Sequence, residues 1–212
     1  MENKAFNSAS VEWIVLSKAP VAGDVKTRLI PALGKQVACD VYCQLLKRLQ
    51  ETLCKLITSK GGNVALWVAG DCNHEAFNSW IDIATFYQQP TNADLGERMS
   101  MAVQSSMSRG RIPVLIGVDV PDLTESYLSN CLEQLANHEL VISPAEDGGY
   151  GLLGMKRFFS GLFVNKNWGT DTVFESTKSD IERLKISTAY LPQVWDVDEI
   201  ADVERFMLTQ PW

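Results

Sequence analysis

Histidine is nearly absent from this chain. His74 and His138 are the whole supply among 212 residues. Zinc sites draw on His and Cys at short spacings, and the five cysteines, Cys39, Cys43, Cys54, Cys72 and Cys131, form no C-x-x-C pair. A zinc centre is poorly supplied, and the odd thiol count fits buried or half-buried cysteines in a reducing cytoplasm rather than a disulfide framework. Positive charge is also short. Nineteen Lys and Arg face 26 Asp and Glu, giving a net charge of −7 and a pI near 4.9. This argues against nucleic acid as the main partner, because neutralising a phosphate backbone needs a basic face. No apolar run reaches the length of a membrane span, and residues 1–10 lack the apolar core of a signal peptide. Repeats, linkers and low-complexity tracts are missing, so residues 1–212 read as one domain.

What is there is an alternation of strands and helices. Residues 11–16 (V-E-W-I-V-L) read as a first strand. Residues 34–60 form a long helix with an apolar stripe of Val37, Val41, Leu45, Leu49, Leu53 and Leu56. Strands follow at 63–69 and 84–88, with a short helix at 73–81 between them. Leu95, Met99, Val103 and Met107 mark the next helix; Asp94 is its N-cap, and Glu97 stands at the capping-box position. Further strands are expected at 112–117, 139–143, 150–155 and 185–191, and helices at 124–137, 171–179 and 199–208. Alternation over the first 143 residues predicts an α/β fold, a three-layer α/β/α sandwich with a mostly parallel sheet. The later short strands predict a small antiparallel addition.

Four stretches carry chemistry. Residues 112–123 (I-P-V-L-I-G-V-D-V-P-D-L) place Asp119 and Asp122 just past a buried strand, where open α/β sheets bind ligands. Two carboxylates on a turn stiffened by Pro121 suit a divalent metal, but a solvated loop acid and a helix-start acid explain them equally. Residues 17–30 carry Lys18, Lys26 and Arg28 against one acid, Asp24. Such a loop suits phosphate oxygens, though it has neither the Walker pattern nor the dinucleotide fingerprint; a plain surface loop is the alternative. Residues 144–150 (P-A-E-D-G-G-Y) form a sharp turn with two acids and two glycines, which lets backbone approach a ligand or simply reverses a hairpin. In W-D-V-D, residues 195–198, Asp196 and Asp198 share one side of an extended segment, and Asp198 also serves as an N-cap candidate. Arg98 lies off the buried stripe of its helix and faces ligand or water.

Taken together, K-A-P-V-A-G-D-V-K-T-R-L, D-L-G-E-R-M, G-V-D-V-P-D-L, P-A-E-D-G-G-Y, W-G-T and the closing D-V-D resemble the glycosyltransferase-A-like bacterial family of nucleotide-diphospho-sugar transferases. The resemblance spans about residues 11–208, and the family is related in fold to guanylyltransferases acting on molybdopterin or phospholactate. It implies a nucleotide-binding part at about residues 1–143 and an acceptor-side part at about 144–212. It implies a nucleotide-binding loop formed by Ser17, Lys18, Ala19, Pro20 and Gly23, with Lys26 and Arg28 on the phosphates and Arg98 beside them. It implies Mg²⁺ or Mn²⁺ on Asp119, completed by Asp196 or Asp198. Glu146, Asp147, Gly148, Gly149, Tyr150, Trp168 and Thr170 would face a small-molecule acceptor, with Asp122 a secondary candidate and Asp147 a base. Two departures stand out: Ala22-Gly23-Asp24 where the family has Pro then Gly-Arg, and Ala93-Asp94 where it has Gly-Asp. The leading expectation is a metal-dependent glycosyltransferase using a nucleotide-diphospho-sugar. The alternatives are a nucleotidyltransferase releasing pyrophosphate and a non-catalytic nucleotide-binding protein, the latter suggested by the acid at Asp24.

Overall fold

The structure, a computed structural model, describes residues 6–209. Its first strand, β1 (Val11–Lys18), is buried on both faces because Trp13 and Val15 point to one side and Ile14 to the other. After a loop and a short 3₁₀ turn at Thr27–Leu29 comes α1 (Ile30–Lys60), then β2 (Asn63–Ala69), β3 (Ala84–Gln88), α2 (Leu95–Ser108), β4 (Ile112–Ile116), α3 (Glu125–Asn137), β5 (Leu140–Pro144), β6 (Tyr150–Met155), α4 (Val173–Leu184), β7 (Thr188–Tyr190) and α5 (Ile200–Thr209). The seven strands form one sheet in the order β3-β2-β1-β4-β6-β5-β7. β1 is parallel to both β2 and β4, whereas β6 is antiparallel to β4 and β5. The antiparallel strand is thus inserted within the sheet rather than added at its edge.

Helices cover both faces. Leu46, Leu49, Leu53 and Leu56 of α1 and Leu128, Cys131 and Leu135 of α3 pack with Trp13 and Val15. Met99, Ala102 and Val103 of α2 and Ile181 of α4 pack with Ile14, Leu115 and Leu153 on the other face. A third cluster joins Leu29 and α1 residues Ala38, Val41 and Leu45 to Trp195, Val197, Val203 and Phe206. This cluster brings the C-terminal segment to the N-terminal loop.

Local differences from the sequence reading have identifiable causes. The expected start of α1 at Gly34 falls inside it. Pro31 opens the helix one turn earlier, and Gly34 is a non-helical kink at φ 77°. Val37, expected in the stripe, is 46% exposed at this kinked end. The short helix expected at 73–81 is a 3₁₀ segment, Glu75–Trp80, capped by the His74 ring. α4 runs on to Leu184 because Ile181 extends its buried face, and Lys185 stops it in the left-handed conformation, which shortens the following strand. The capping box of α2 is present as expected, with Asp94 and Glu97 bonding each other's backbone N–H at 2.8 Å.

Gly96, in the first turn of α2, meets the segment that leads to α4. A Cβ there would press on the Phe163 carbonyl and stand 2.5 Å from Trp168 Nε1. Helix propensity alone makes Gly→Ala stabilising by about 1 kcal/mol. Here the sign is expected to reverse, with Gly96→Ala lowering stability by roughly 1–3 kcal/mol, several degrees in Tm. Thermal unfolding checks it, and a Tm rise would mean that residues 163–168 are not seated on α2.

Candidate nucleotide and metal site

The chain leaves β1 to build β2 on one side and returns to place β4 on the other, so the strand order reverses between β1 and β4. Open α/β sheets bind ligands in the crevice at that reversal. A cavity of about 670 Å³ lies there, and Ser17, Lys18, Asp24, Lys26, Arg28, Tyr42, Gln89, Arg98, Asp119, Asp147, Tyr150, Gly169, Asp196 and Asp198 all line it. Of the residues singled out in the sequence, Ala19, Pro20, Gly23, Asp122, Glu146, Gly148, Gly149, Trp168 and Thr170 lie outside that lining.

The loop after β1 is pinned before its cations are placed. Ala19, Val25 and Leu29 are buried, and Ala19 N–H donates to the Ala69 carbonyl at 2.9 Å. Between these anchors Lys26 takes a left-handed backbone, φ 45° and ψ 46°, which a residue with a Cβ adopts only at a cost. Its side chain, 5% exposed, points inward, and Nζ donates to Asp119 Oδ2 at 2.8 Å and to Asp198 Oδ1 at 3.4 Å. Arg28 pairs with the other oxygen of Asp198. Burial by itself would lower the Lys26 pKa, but Asp119, Asp198 and Asp196 outweigh it and hold the ammonium above its usual range.

The acids come from three turns. Asp119 follows β4 behind Gly117, where a Cβ would meet Val120 at 3.0 Å and Asp119 Oδ1 at 3.2 Å. Val197 N–H donates to the Asp119 carbonyl at 2.9 Å while its side chain enters the third core cluster. The alternation seen in D-V-D therefore sends Val197 inward and both acids into the cavity. The Asp198 carboxylate does not cap α5: Asp202 Oδ2 accepts the Asp198 and Glu199 N–H groups instead. Asp196 is pushed up to about 6, first by burial and then by Asp147, Asp119 and Asp198, with Lys26 opposing.

The residues outside the lining have other partners. Glu146 pairs with Arg205 of α5 at 2.9 Å, and Arg205 stacks over Trp195 at 4.1 Å. Asp122 supplies its carbonyl to Thr124 N–H at 2.7 Å, and the helix cap expected of it is made by the Thr124 side chain. Thr170 bonds within its own turn, to the Asn167 carbonyl at 2.8 Å. Trp168 packs edge-on against Tyr150. Gly148, at φ 84°, makes room for the backbone of Asp171, so the close approach its turn allows is to the chain itself. Tyr150 is half-buried against Met99, and desolvation raises its hydroxyl above the usual range, so it serves as a wall.

Tyr42 and Gln89 are lining residues that escaped the sequence reading. Tyr42 lies on the buried side of α1, and its hydroxyl sits 2.9 Å from Ser17 Oγ and accepts Lys18 N–H at 3.0 Å. Gln89 is buried just past β3 and donates to the Ser17 and Trp67 carbonyls at 2.9 and 2.8 Å. Its Oε1 faces Arg98 Nη1 at 3.4 Å, while Arg98 Nε donates to the Ala93 carbonyl at 2.9 Å. A polar residue directly after a strand end was the available signal for Gln89; Tyr42 gave none beyond its place on an apolar helix face. Among the described residues, Lys18 and Arg98 have no carboxylate partner.

The raised Asp196 pKa has a stability consequence. The folded value lies above the unfolded one, so the native state is favoured while Asp196 is protonated, and that advantage is lost as pH rises from about 4 to about 6. Asp196→Asn in the presence of EDTA is expected to raise stability at pH 7.5 by about 1 kcal/mol, a value discounted for partial exposure. No gain is expected at pH 4. Urea unfolding at the two pH values checks this, and an equal effect at both would remove Asp196 from the charged group.

Comparison with known proteins follows this geometry. The chain is similar, at 29% identity and a TM-score of 0.84, to a protein from Desulfovibrio desulfuricans G20 described as a nucleotide-diphospho-sugar transferase; the match covers 94% of this chain and 87% of that one. It shares its fold with 4-diphosphocytidyl-2C-methyl-D-erythritol synthase from Anaerococcus prevotii DSM 20548, at 7% identity, a TM-score of 0.61 and coverage of 95% and 97%. It also shares the fold of a CMP:2-keto-3-deoxy-manno-octonic acid synthetase solved with CTP, at 10% identity, a TM-score of 0.54 and coverage of 96% and 100%. No curated protein matches the chain. A family described as "Uncharacterized protein conserved in bacteria (DUF2064)" matches residues 52–170, more than half of the sequence, and this protein belongs to that family.

Proposed function

We propose that this protein is a metal-dependent transferase acting on a nucleotide-activated substrate, a glycosyltransferase that uses a nucleotide-diphospho-sugar. The observation that carries this reading is the meeting, in one cavity at the sheet's reversal point, of a basic loop and three separate acids. Lys18, Lys26, Arg28 and Arg98 supply positive charge there, and Asp119, Asp196 and Asp198 supply hard oxygen ligands. The similarity over 94% of the chain to a protein described as a nucleotide-diphospho-sugar transferase supports the choice of substrate.

The donor chemistry fits Mg²⁺ or Mn²⁺. The ligands are all carboxylates, and no histidine or cysteine lines the cavity; the sulfur of Met99 faces the Tyr150 hydroxyl. Burial first, and then repulsion among these acids, raises Asp196. Among the described residues no three acids, histidines or cysteines stand in finished metal geometry, and the two acids Asp119 and Asp198 are instead drawn onto Lys26. In this reading Asp119 is the principal ligand, with Asp196 and Asp198 completing the site. A divalent ion there supplies charge neutralisation for the diphosphate leaving group. Lys18 and Arg98 hold anionic oxygens by charge-assisted hydrogen bonds, and Gln89 fixes the plane of Arg98. Asp147, held by Gly149 N–H at 2.8 Å, takes the proton from an acceptor hydroxyl. Residues 144–212 form the acceptor side.

A second reading, nucleotidyl transfer from an NTP with release of pyrophosphate, is favoured by the number of cations around the cavity, which suits a triphosphate. Product analysis separates the two. Release of nucleoside diphosphate from a nucleotide sugar supports the first, pyrophosphate from an NTP panel supports the second, and tight binding without either product supports a non-catalytic role. In both catalytic readings Asp119→Asn is expected to weaken Mn²⁺-dependent binding of UDP, GDP or their sugars at least about tenfold, the scale of one lost contact to a charged group. Calorimetry checks it, and unchanged binding would overturn the metal assignment.

A further inference from the structure

Lys26 and Arg28 face the acids, which is the wrong place for cations that hold only phosphate. Lys26 Nζ is shared between Asp119 and Asp198 at 2.8 and 3.4 Å, and Arg28 takes the remaining oxygen of Asp198. These are the carboxylates that a divalent ion would need. We propose that Lys26 and Arg28 are exchangeable counter-ions: in the free protein they neutralise Asp119 and Asp198, and a divalent cation arriving at those carboxylates displaces both side chains onto the diphosphate. The inference rests on the metal-dependent reading above and adds to it a coupling between metal and phosphate that this chain's own cations carry.

Charge makes the exchange two-way. Five aspartates, Asp24, Asp119, Asp147, Asp196 and Asp198, line the cavity with four cations, Lys18, Lys26, Arg28 and Arg98, and two of those cations, Lys26 and Arg28, are held on Asp119 and Asp198. A diphosphate entering this state meets two cations that are already paired and acids that repel it. A divalent ion on Asp119 and Asp198 neutralises those two carboxylates and makes the ammonium and guanidinium surplus. Only an incoming anion then satisfies them. Metal and diphosphate therefore strengthen each other's binding, and by linkage the factor is the same in both directions.

The architecture permits the move without unfolding the loop. Val25 and Leu29, on either side of Lys26, are buried at 3% and 1% exposure, so the backbone stays fixed. The four-carbon Lys26 stem turns within the cavity it already lines. Arg28, 66% exposed, has solvent to turn through. The left-handed backbone at Lys26 aims the side chain at the acids in the first place.

The test uses Mn²⁺ alone and inorganic pyrophosphate as probes, followed by calorimetry and electron paramagnetic resonance at pH 7.5. Lys26→Met is expected to bind Mn²⁺ about ten- to a hundredfold more tightly than wild type, because a positive charge a few ångströms from the ligands is gone. Arg28→Gln, an exposed change that leaves the core untouched, is expected to bind Mn²⁺ several-fold more tightly and decides the matter if Lys26→Met does not fold. In wild type, Mn²⁺ is expected to tighten pyrophosphate binding at least about tenfold, and that gain shrinks in both variants. Equal or weaker Mn²⁺ affinity in the variants overturns the exchange and leaves the metal reading standing. No Mn²⁺ binding by wild type or either variant overturns the metal reading itself.

Discussion

The buried ammonium of Lys26 is the interaction on which the site depends. A charge with 5% exposure needs partners, because desolvation favours its neutral form. Asp119 and Asp198 supply them from turns that are distant in sequence. The three segments define one another: the loop after β1 is held by Val25 and Leu29, the turn after β4 by Val197 N–H, and the C-terminal segment by the third core cluster. Shifting any of the three takes a partner away from the Lys26 ammonium.

The surplus of acid in the same cavity works against stability, and the fold tolerates it because most of the core lies away from the cavity. Two large apolar clusters fill the two faces of the sheet, and their edges, among them Ile116 and Leu152 of one and Met99 and Leu115 of the other, reach the cavity at the strand ends. Glycine permits two close approaches nearby. Gly96 lets residues 163–168 rest on α2, and Gly148 lets the backbone of Asp171 rest on the turn after β5. Neither glycine lines the cavity itself.

Periodicity carried most of the architecture into the sequence. The α/β/α layering, the capping box at Asp94 and Glu97, and the placement of Asp119 past a buried strand could all be read from short-range pattern. The position of β6 could not. Its apolar run says that it is buried, but insertion between β4 and β5 is decided by sheet pairing across many residues. The W-D-V-D segment showed the same boundary. Alternation placed Asp196 and Asp198 on one side, but not the cation they face, because Lys26 lies 172 residues from Asp198. The roles of Gln89 and Tyr42 were hidden for a related reason. Each acts through hydrogen bonds to backbone atoms at the end of β1, and those bonds exist only after the sheet has formed.

That separation of 172 residues also bears on what the charged group does. Closing so long a loop costs entropy that grows only slowly with length, but the cost must still be met by contacts between the chain ends. The apolar contacts suffice in kind: Trp195, Val197, Val203 and Phe206 are all buried against Leu29, Ala38, Val41 and Leu45. The ion group sits beside this cluster, with Asp119 at 38% and Asp198 at 29% exposure, where water and salt weaken each pair. Apolar packing therefore joins the ends, and the charges are relieved of that task. Charges that do not hold the fold together are free to change partners, and that freedom is what separates a site that exchanges a lysine for a metal from a salt bridge that merely links two loops.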